Sequence, residues 1–173
     1  MIQKKICMMG SFAVGKTSLV RRFVKSIFNE KYLTTVGVKI DKKSIKVGDQ
    51  DVMLMVWDLE GQDNYHTVRT SYLRGASGYF IVVDGTNRGT LEVAMKLRDS
   101  VGERIGEIPH LLLVNKMDLM DSWELGEEDL SPLAESGLII RQTSAKTGEG
   151  VEEAFLALAE QMLESRSVAK SAR

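Results

Sequence analysis

Residues 10–17 combine glycine, lysine and threonine at the spacing of a loop that binds phosphate. They read GSFAVGKT, which is a glycine, four further residues and then Gly15-Lys16-Thr17. Glycines let the backbone curl until successive N–H groups converge on phosphate oxygens, and the lysine ammonium adds a full positive charge. The Thr17 hydroxyl is then placed to ligate a magnesium ion. We interpret this stretch as a phosphate-binding loop (P-loop), and the alternative is a glycine turn followed by an accidental Lys-Thr pair.

A second group of candidate residues follows the apolar run at residues 51–57. Asp58 ends that run, and an aspartate at the end of a strand beside a P-loop can hold magnesium directly or through water. Gly61 has no side chain to prevent its N–H from approaching a terminal phosphate. The amide of Gln62 both donates and accepts, so it could orient a water molecule. The alternative is an ordinary polar exit from a strand into a loop.

Two further polar motifs follow the last two apolar runs of the chain. Asn115-Lys116-Met117-Asp118 comes after residues 111–114, and Thr143-Ser144-Ala145-Lys146 comes after residues 138–140. A carboxylate can accept hydrogen bonds from both the ring N–H and the exocyclic amine of guanine, a pair of donors that adenine lacks. We therefore assign base choice to Asp118. Backbone N–H groups of the second motif could contact a base oxygen, and the stem of Lys146 could cover a ring face. The alternative for this motif is a polar turn.

The elements that must position these motifs alternate between strands and helices. Strands are predicted at residues 2–9, 36–47, 51–58, 79–84, 111–114 and 138–140, and helices at 16–28, 90–105, 127–135 and 151–162. Gly48-Asp49-Gln50 predicts a hairpin turn, and Pro132 is expected to interrupt or start the third helix. This order predicts an α/β fold with a six-stranded, mostly parallel sheet, one antiparallel strand and helices on both faces. The polar motifs follow strand ends, where ligands bind in such sheets.

Composition limits the classes of protein to which the chain can belong. With 173 residues, 43% hydrophobic and 27% charged, we expect one globular domain over residues 1–165 and a flexible tail over 166–173. A net charge of −1 gives no reason to expect nucleic-acid binding. No apolar run reaches membrane-spanning length, and the single Cys7 suits a reducing compartment, so we expect a cytoplasmic protein. We also expect a monomer. Ile2 excludes N-myristoylation, and the absence of cysteine near Arg173 argues against prenylation, so no lipid anchor is expected.

Together, the four motifs resemble those of a small GTPase of the Ras superfamily, and the Rab branch is the most similar. Residues 10–17, 58–62, 115–118 and 144–146 have the family's order and spacing, and residues 32–38, 56–58 and 70–76 resemble Rab switch segments. The resemblance implies a G domain of the P-loop NTPase type that binds GTP or GDP with Mg²⁺. It also implies that Phe28 packs edge-on against guanine, and that Ile40, Trp57 and Tyr72 form an apolar patch for partners; ordinary core packing is the alternative for each.

The implied reaction is slow hydrolysis of GTP to GDP and phosphate. Effector, exchange-factor and GTPase-activating proteins would bind at two segments, switch I around Thr35 and switch II at 61–74. The family pattern assigns catalysis to Gln62, Lys16 and Thr35, and magnesium to Thr17, Thr35 and Asp58. It assigns nucleotide contacts to Ala13, Val14, Gly15, Lys16, Thr17, Ser18, Phe28, Thr35, Gly61, Asn115, Lys116, Asp118, Ser144, Ala145 and Lys146.

Two residues depart from the family pattern. Phe12 stands where relatives have glycine or another small residue, and its ring would crowd Gln62 and any arginine supplied by a partner. Glu60 replaces a small residue, so we expect it to turn away from the phosphates with GTP bound and to pair with Lys16 in the nucleotide-free state. One alternative is a module that binds guanine nucleotide with negligible turnover. A P-loop kinase is another, although no arginine-rich lid or acceptor site is evident.

Overall fold

A computed structural model describes residues 1–30, 34–61 and 68–171, with side chains through residue 166. Its strands are β1 (Ile2–Met9), β2 (Val38–Val47), β3 (Gln50–Leu59), β4 (Gly78–Asp84), β5 (His110–Asn115) and β6 (Ile139–Gln142). Its α-helices are α1 (Lys16–Lys25), α2 (Thr70–Leu73), α3 (Gly89–Ile105), α4 (Glu127–Glu135) and α5 (Val151–Ser171), and a 3₁₀ helix covers Met117–Ser122. The predicted class and strand count are thus confirmed.

The sheet places the first strand in the middle and the hairpin at one edge. Its order is β2-β3-β1-β4-β5-β6. Only β2 and β3 pair antiparallel, and the other neighbours are parallel. The hairpin turns at Gly48, whose φ of 59° lies in the left-handed region that glycine adopts without strain. Because these strands run parallel, the carboxyl ends of β1, β3, β4 and β5 all lie on the same side of the sheet, where ligands bind in folds of this type.

Each face of the sheet carries its own hydrophobic core, because successive strand residues point to opposite faces. On one face, Phe23 of α1 and Phe155 of α5 stack with ring centroids 3.8 Å apart, and Phe80 of β4 meets Phe155 edge-on. On the other face, Tyr79 and Leu97 belong to a second cluster with helix α3. Helices therefore cover both faces, which confirms the layered architecture. None of the helices in the described residues is both long and apolar enough to span a membrane.

The structure corrects the prediction that Pro132 interrupts or starts helix α4. The helix runs unbroken over Glu127–Glu135 with Pro132 inside it. Proline removes one N–H donor and leaves the carbonyl of Glu128 without its usual partner. Both Glu128 and Pro132 are exposed, so water can satisfy that carbonyl and the helix persists.

Helix ends also differ from the prediction. Helix α1 ends at Lys25 rather than at residue 28, because Ser26 takes a left-handed conformation with φ of 55° while its N–H still bonds to Arg22. The terminal helix α5 continues through Ser171, so its backbone covers most of the segment predicted as a tail. The domain boundary at residue 165 stays a prediction. Helix α2 and the 3₁₀ helix were not predicted, since four and six residues are too few to show helical periodicity.

Cys7 is expected to react slowly with thiol reagents while the protein is folded. It is fully buried in the second cluster, and burial raises the pKa of its thiol to about 11. Only roughly a thousandth of the thiol would then be ionised at pH 8, and the thiolate is the reactive form. Labelling with a chromogenic disulfide at pH 8 should therefore be slow in buffer and rapid after denaturation. Complete labelling of the folded protein within seconds would contradict this placement.

Candidate functional site

One cleft of about 340 Å³ lies where the ends of the parallel strands meet. Most of the predicted site residues line it: Ala13, Gly15, Lys16, Thr17, Ser18, Phe28, Thr35, Gly61, Asn115, Lys116, Asp118, Ala145 and Lys146. Val14, Asp58 and Ser144 lie behind these residues and contact them through hydrogen bonds. Gln62, predicted to be catalytic, lies outside the described residues. The cleft is also lined by residues that were not predicted as site residues, although each lies within or close to a predicted segment: Asn29, Glu30, Leu59 and Leu119.

The P-loop has the strained backbone that its glycines predict. Gly15 has φ of 102°, and a Cβ there would lie 2.3 Å from Nδ2 of Asn115. Gly10 has φ of 145°, and a Cβ there would lie 2.4 Å from the carbonyl oxygen of Val82. The Nζ of Lys16 donates to the carbonyl oxygens of Gly10 and Ser11 at 2.8 Å each. The curled loop therefore holds its ammonium group inside the turn, where an anion would meet it.

Three oxygen-bearing side chains from three separate segments meet beside the P-loop. The hydroxyl oxygens of Thr17 and Thr35 lie 2.6 Å apart, and Thr17 donates to Oδ2 of Asp58 at 2.6 Å. Thr35 donates to the same carboxylate oxygen at 3.2 Å. Burial raises the pKa of Asp58, against the opposing effects of the hydrogen bond from Thr17 and the charge of Lys16. The three predicted magnesium ligands are thus brought together.

This oxygen cluster fits a magnesium ion in its chemistry. Asp58 is only 1% exposed, and its Oδ1 atom has no hydrogen-bond partner among the described residues. A buried carboxylate oxygen without a partner is costly unless a cation or a donor meets it. Magnesium prefers oxygen ligands and is commonly held by only one or two carboxylates. Among the described residues, no group of three or more histidine, cysteine, aspartate or glutamate side chains could hold a metal ion by itself.

At the other end of the cleft, Asp118 and Asn115 are held by hydrogen bonds from distant parts of the chain. Ser144 Oγ donates to Oδ1 of Asp118 at 2.7 Å. The amide of Asn115, 2% exposed, donates to Val14 O at 3.0 Å and accepts from Thr143 Oγ1 and the Ala145 N–H. Asn115 therefore fastens the P-loop to the loop after β6. The carboxylate of Asp118 lies on the cleft wall with its orientation fixed.

Two lysines at the same end form ion pairs. Lys116 has a left-handed backbone with φ of 72°, and its Nζ lies 2.8 Å from Oδ2 of Asp84 at the end of β4. Lys146 lies across the cleft mouth from Glu30, with its Nζ 3.5 Å from the carboxylate. Phe28 packs against the core that contains Phe23 and also faces the cleft. An aromatic ring and two lysine stems thus surround the space next to Asp118.

The two residues that depart from the family pattern take clear positions. Phe12 lines the cleft and is 45% exposed. A Cβ at Gly61 would lie 2.6 Å from Cα of Phe12, so glycine is needed at 61 for this approach. Glu60 turns towards Gly37, whose N–H donates to the Glu60 carboxylate at 3.3 Å, while the N–H of Glu60 donates to Gly37 O at 2.8 Å. The side chain therefore ties the segment before β2 to the end of β3.

The predicted partner patch lies close to these hydrogen bonds between Glu60 and Gly37. Ile40 is 43% exposed, and Trp57 and Tyr72 are half-buried. The ammonium of Lys5 lies 3.6 Å from the centroid of the Trp57 ring and donates to Arg74 O at 2.8 Å. Lys5 therefore fixes the tryptophan ring against the segment that follows α2, an arrangement that the sequence pattern did not indicate.

Comparison with known proteins adds a consistent result. The family model described as "Ras family" matches residues 5–164. The chain is 34% identical to Ras-related protein Rab-10 of Diplobatis ommata over 166 residues, which are 95% of this chain and 83% of that protein. It is 35% identical to Ras-related protein Rab-13 of Canis lupus familiaris over 92% of this chain and 79% of that protein. It is 36% identical to Ras-related protein RABF2b of Arabidopsis thaliana over 93% and 82%, respectively.

Proposed function

Because this chain belongs to the Ras family of small GTPases and is Rab-like, we propose that it is a guanine-nucleotide switch that holds Mg²⁺ and hydrolyses GTP slowly. The observation that carries the proposal is the meeting of Thr17, Thr35 and Asp58 beside Lys16. Thr35 precedes β2 and Asp58 belongs to β3, so a ligand at this point contacts two separate segments at once. A cleft that only bound phosphate would not require Thr35 and Asp58, from two separate segments, to meet at Thr17.

The phosphate end of the cleft supplies electrostatic stabilisation. In phosphoryl transfer, charge is spread over the oxygens of the transferred group, and catalysis consists mostly of positioning and charge neutralisation. Lys16 and the P-loop N–H groups provide positive charge there without reorganisation, since the loop is already curled. Thr17, Thr35 and Asp58 would hold a magnesium ion, which supplies further positive charge to the phosphate oxygens. By family resemblance, the amide of Gln62 orients the attacking water.

The base end of the cleft supplies selection of guanine. The carboxylate of Asp118 accepts from the ring N–H and the exocyclic amine, and Ser144 keeps it oriented. Phe28 and the stems of Lys116 and Lys146 cover the ring, which contributes apolar contact area. By family resemblance, backbone N–H groups of residues 143–146 would contact the oxygen of the base. Each of these roles follows the family pattern and is proposed for this chain on the geometry of the cleft.

The change of conformation between the GTP and GDP states would depend on the Thr35 hydroxyl. In the family, this threonine reaches the magnesium only when the γ-phosphate is present, so hydrolysis releases the segment around it. Effector, exchange-factor and GTPase-activating proteins would read that segment together with switch II. The patch of Ile40, Trp57 and Tyr72 supports the same surface as the contact site. We place this switch in the cytoplasm, a reducing compartment that suits the single free and buried Cys7, and we take it to be a monomer.

Substitution of Gln62 by leucine is expected to reduce phosphate release strongly, because leucine cannot orient the attacking water. Purified protein loaded with GTP and magnesium would be followed in a single turnover. Gln50→Leu is the matched control, since Gln50 is an exposed glutamine at the start of β3, remote from the cleft in sequence. A fast wild-type rate that Gln62→Leu leaves unchanged would overturn the proposed mechanism.

A second candidate function is a module that binds guanine nucleotide with negligible turnover, and the exposed ring of Phe12 in the cleft favours it. On the switch proposal, Phe12→Gly is expected to raise the single-turnover rate several-fold by freeing space next to Gly61. Phe12→Leu, which keeps an apolar side chain, should give an intermediate rate. If wild type and both variants hold GTP without cleaving it, the binding module is the better description.

A further inference from the structure

Arg22 joins helix α1 to the loop that follows β6. Its Nε donates to Ala145 O at 2.8 Å, and its Nη2 donates to Lys146 O. These partners lie 123 and 124 residues further along the chain. The loop also packs against the stem of the arginine, since a Cβ at Gly148 would lie 3.4 Å from Cδ of Arg22. The side chain thus holds two consecutive carbonyl groups of a loop that lines the cleft.

The hydrogen bonds from Arg22 to these two carbonyl oxygens also fix the directions of the N–H groups in the same two peptide units. In a trans peptide the C=O and the N–H point in opposite directions. With the carbonyl of Lys146 directed at Arg22, the N–H of Thr147 points away from it, and it donates to Ser144 Oγ at 3.1 Å. Ser144 Oγ in turn donates to Asp118 Oδ1 at 2.7 Å. A continuous path of hydrogen bonds therefore runs from the guanidinium to the carboxylate at the base end.

We propose that Arg22 is a positioning residue for base recognition, holding the loop so that Ser144 keeps Asp118 aimed at the purine. The inference rests on the proposed guanine-nucleotide function. It also links the two ends of the cleft, because Arg22 belongs to the helix that begins with Lys16 and Thr17. Arg22 does not line the cleft, so we assign it an indirect role through the loop.

The geometry requires arginine in particular. The guanidinium is planar and presents Nε–H and one Nη–H on the same side, so it can donate to two neighbouring acceptors in fixed directions. A lysine ammonium keeps the charge but is a compact group on a flexible stem, and it cannot hold both carbonyls in the same orientation. Arg22→Lys therefore removes the positioning while preserving charge and most of the side-chain volume.

The test compares release of GDP and of IDP from wild type, Arg22→Lys and Arg21→Lys. Inosine lacks the exocyclic amine, so IDP depends less on the orientation of Asp118. We expect Arg22→Lys to accelerate GDP release about tenfold, the scale of one lost charge-assisted hydrogen bond, and IDP release distinctly less. Arg21→Lys is the matched control, because Arg21 precedes Arg22 on the same helix and its buried Nε has no hydrogen-bond partner among the described residues.

A general loss of packing would accelerate release of both nucleotides by the same factor, and that result would overturn the proposal. GDP release at the wild-type rate in both Arg22→Lys and Arg22→Gln would also overturn it. In addition, Ser144→Ala combined with Arg22→Lys should release GDP little faster than Ser144→Ala alone, because both changes interrupt one path; fully multiplicative effects would contradict the path. If wild-type protein holds neither nucleotide, the proposed function fails and this inference falls with it.

Discussion

Replacement of Asp118 by asparagine is expected to reverse base preference from guanine to xanthine. An asparagine amide has one acceptor and one donor where the carboxylate has two acceptors. It can still accept from the ring N–H, but its NH₂ group meets the exocyclic amine of guanine donor to donor. Xanthine carries an oxygen in place of that amine and restores the second hydrogen bond. Guanine affinity should fall roughly 100- to 10,000-fold, because one hydrogen bond to a charged group, worth about 1.5–3 kcal/mol, becomes a donor–donor repulsion and the other loses its charge.

Titration with fluorescent GDP and XDP would measure this change. Asp121→Asn is the matched control, because Asp121 is an exposed aspartate in the same 3₁₀ helix and does not line the cleft. Ser144→Ala should weaken GDP binding without creating a preference for XDP, since it removes only the hydrogen bond that orients Asp118. If Asp118→Asn bound GDP as tightly as wild type, the assignment of base choice to this residue would be wrong.

Replacement of Asp58 by asparagine is expected to weaken nucleotide retention and, at the same time, to stabilise the nucleotide-free protein. In wild type, chelation of magnesium should accelerate GDP release on the order of a hundredfold, which corresponds to roughly 2.7 kcal/mol. Asp58→Asn should release GDP rapidly with or without chelator, because an amide is a poor replacement for a carboxylate ligand. The same substitution should raise the Tm of the nucleotide-free protein by a few degrees, since it removes a buried charge with an unpartnered oxygen.

The pH dependence of this stability gain follows from the direction of the pKa shift. Burial raises the pKa of Asp58, so the folded state takes up a proton at that carboxyl more readily than the unfolded state does. The ionised carboxylate therefore destabilises the metal-free protein above its ordinary pKa, and protonation relieves the cost. The Tm difference between Asp58→Asn and wild type should be largest near neutral pH and shrink as the pH falls. A lower Tm for Asp58→Asn at pH 7 without magnesium would contradict this account.

Much of the fold could be predicted because the relevant signals are local. The run of β1, the curled P-loop and the start of α1 are adjacent in sequence, and their apolar pattern and glycines are sufficient to identify them. The same holds for the hairpin at Gly48. Local pattern failed where exposure in the folded protein decided the outcome, as at Pro132, whose exposed helix continues because solvent can satisfy the freed carbonyl.

The site was less accessible to sequence reasoning than the fold. Asp58 and Asp118 could be identified because one lies near the end of a strand and the other shortly after one, but the bonds that hold them come from residues far along the chain. Arg22 and Ala145 are 123 residues apart, and no periodicity relates them. The cation–π contact between Lys5 and Trp57 depends in the same way on the pairing of β1 with β3. Such contacts are products of topology.

The strand order also has a consequence for self-association. Strands β2 and β6 end the sheet, and an exposed edge is a template for pairing with another chain. The long β2 carries four lysines within ten residues, at 39, 42, 43 and 46, so two copies aligned edge to edge would bring like charges together. The other edge is formed by β6, which is only four residues long and offers few groups for pairing. The lysines along β2 and the short length of β6 therefore make edge-to-edge pairing with other copies of the chain unfavourable.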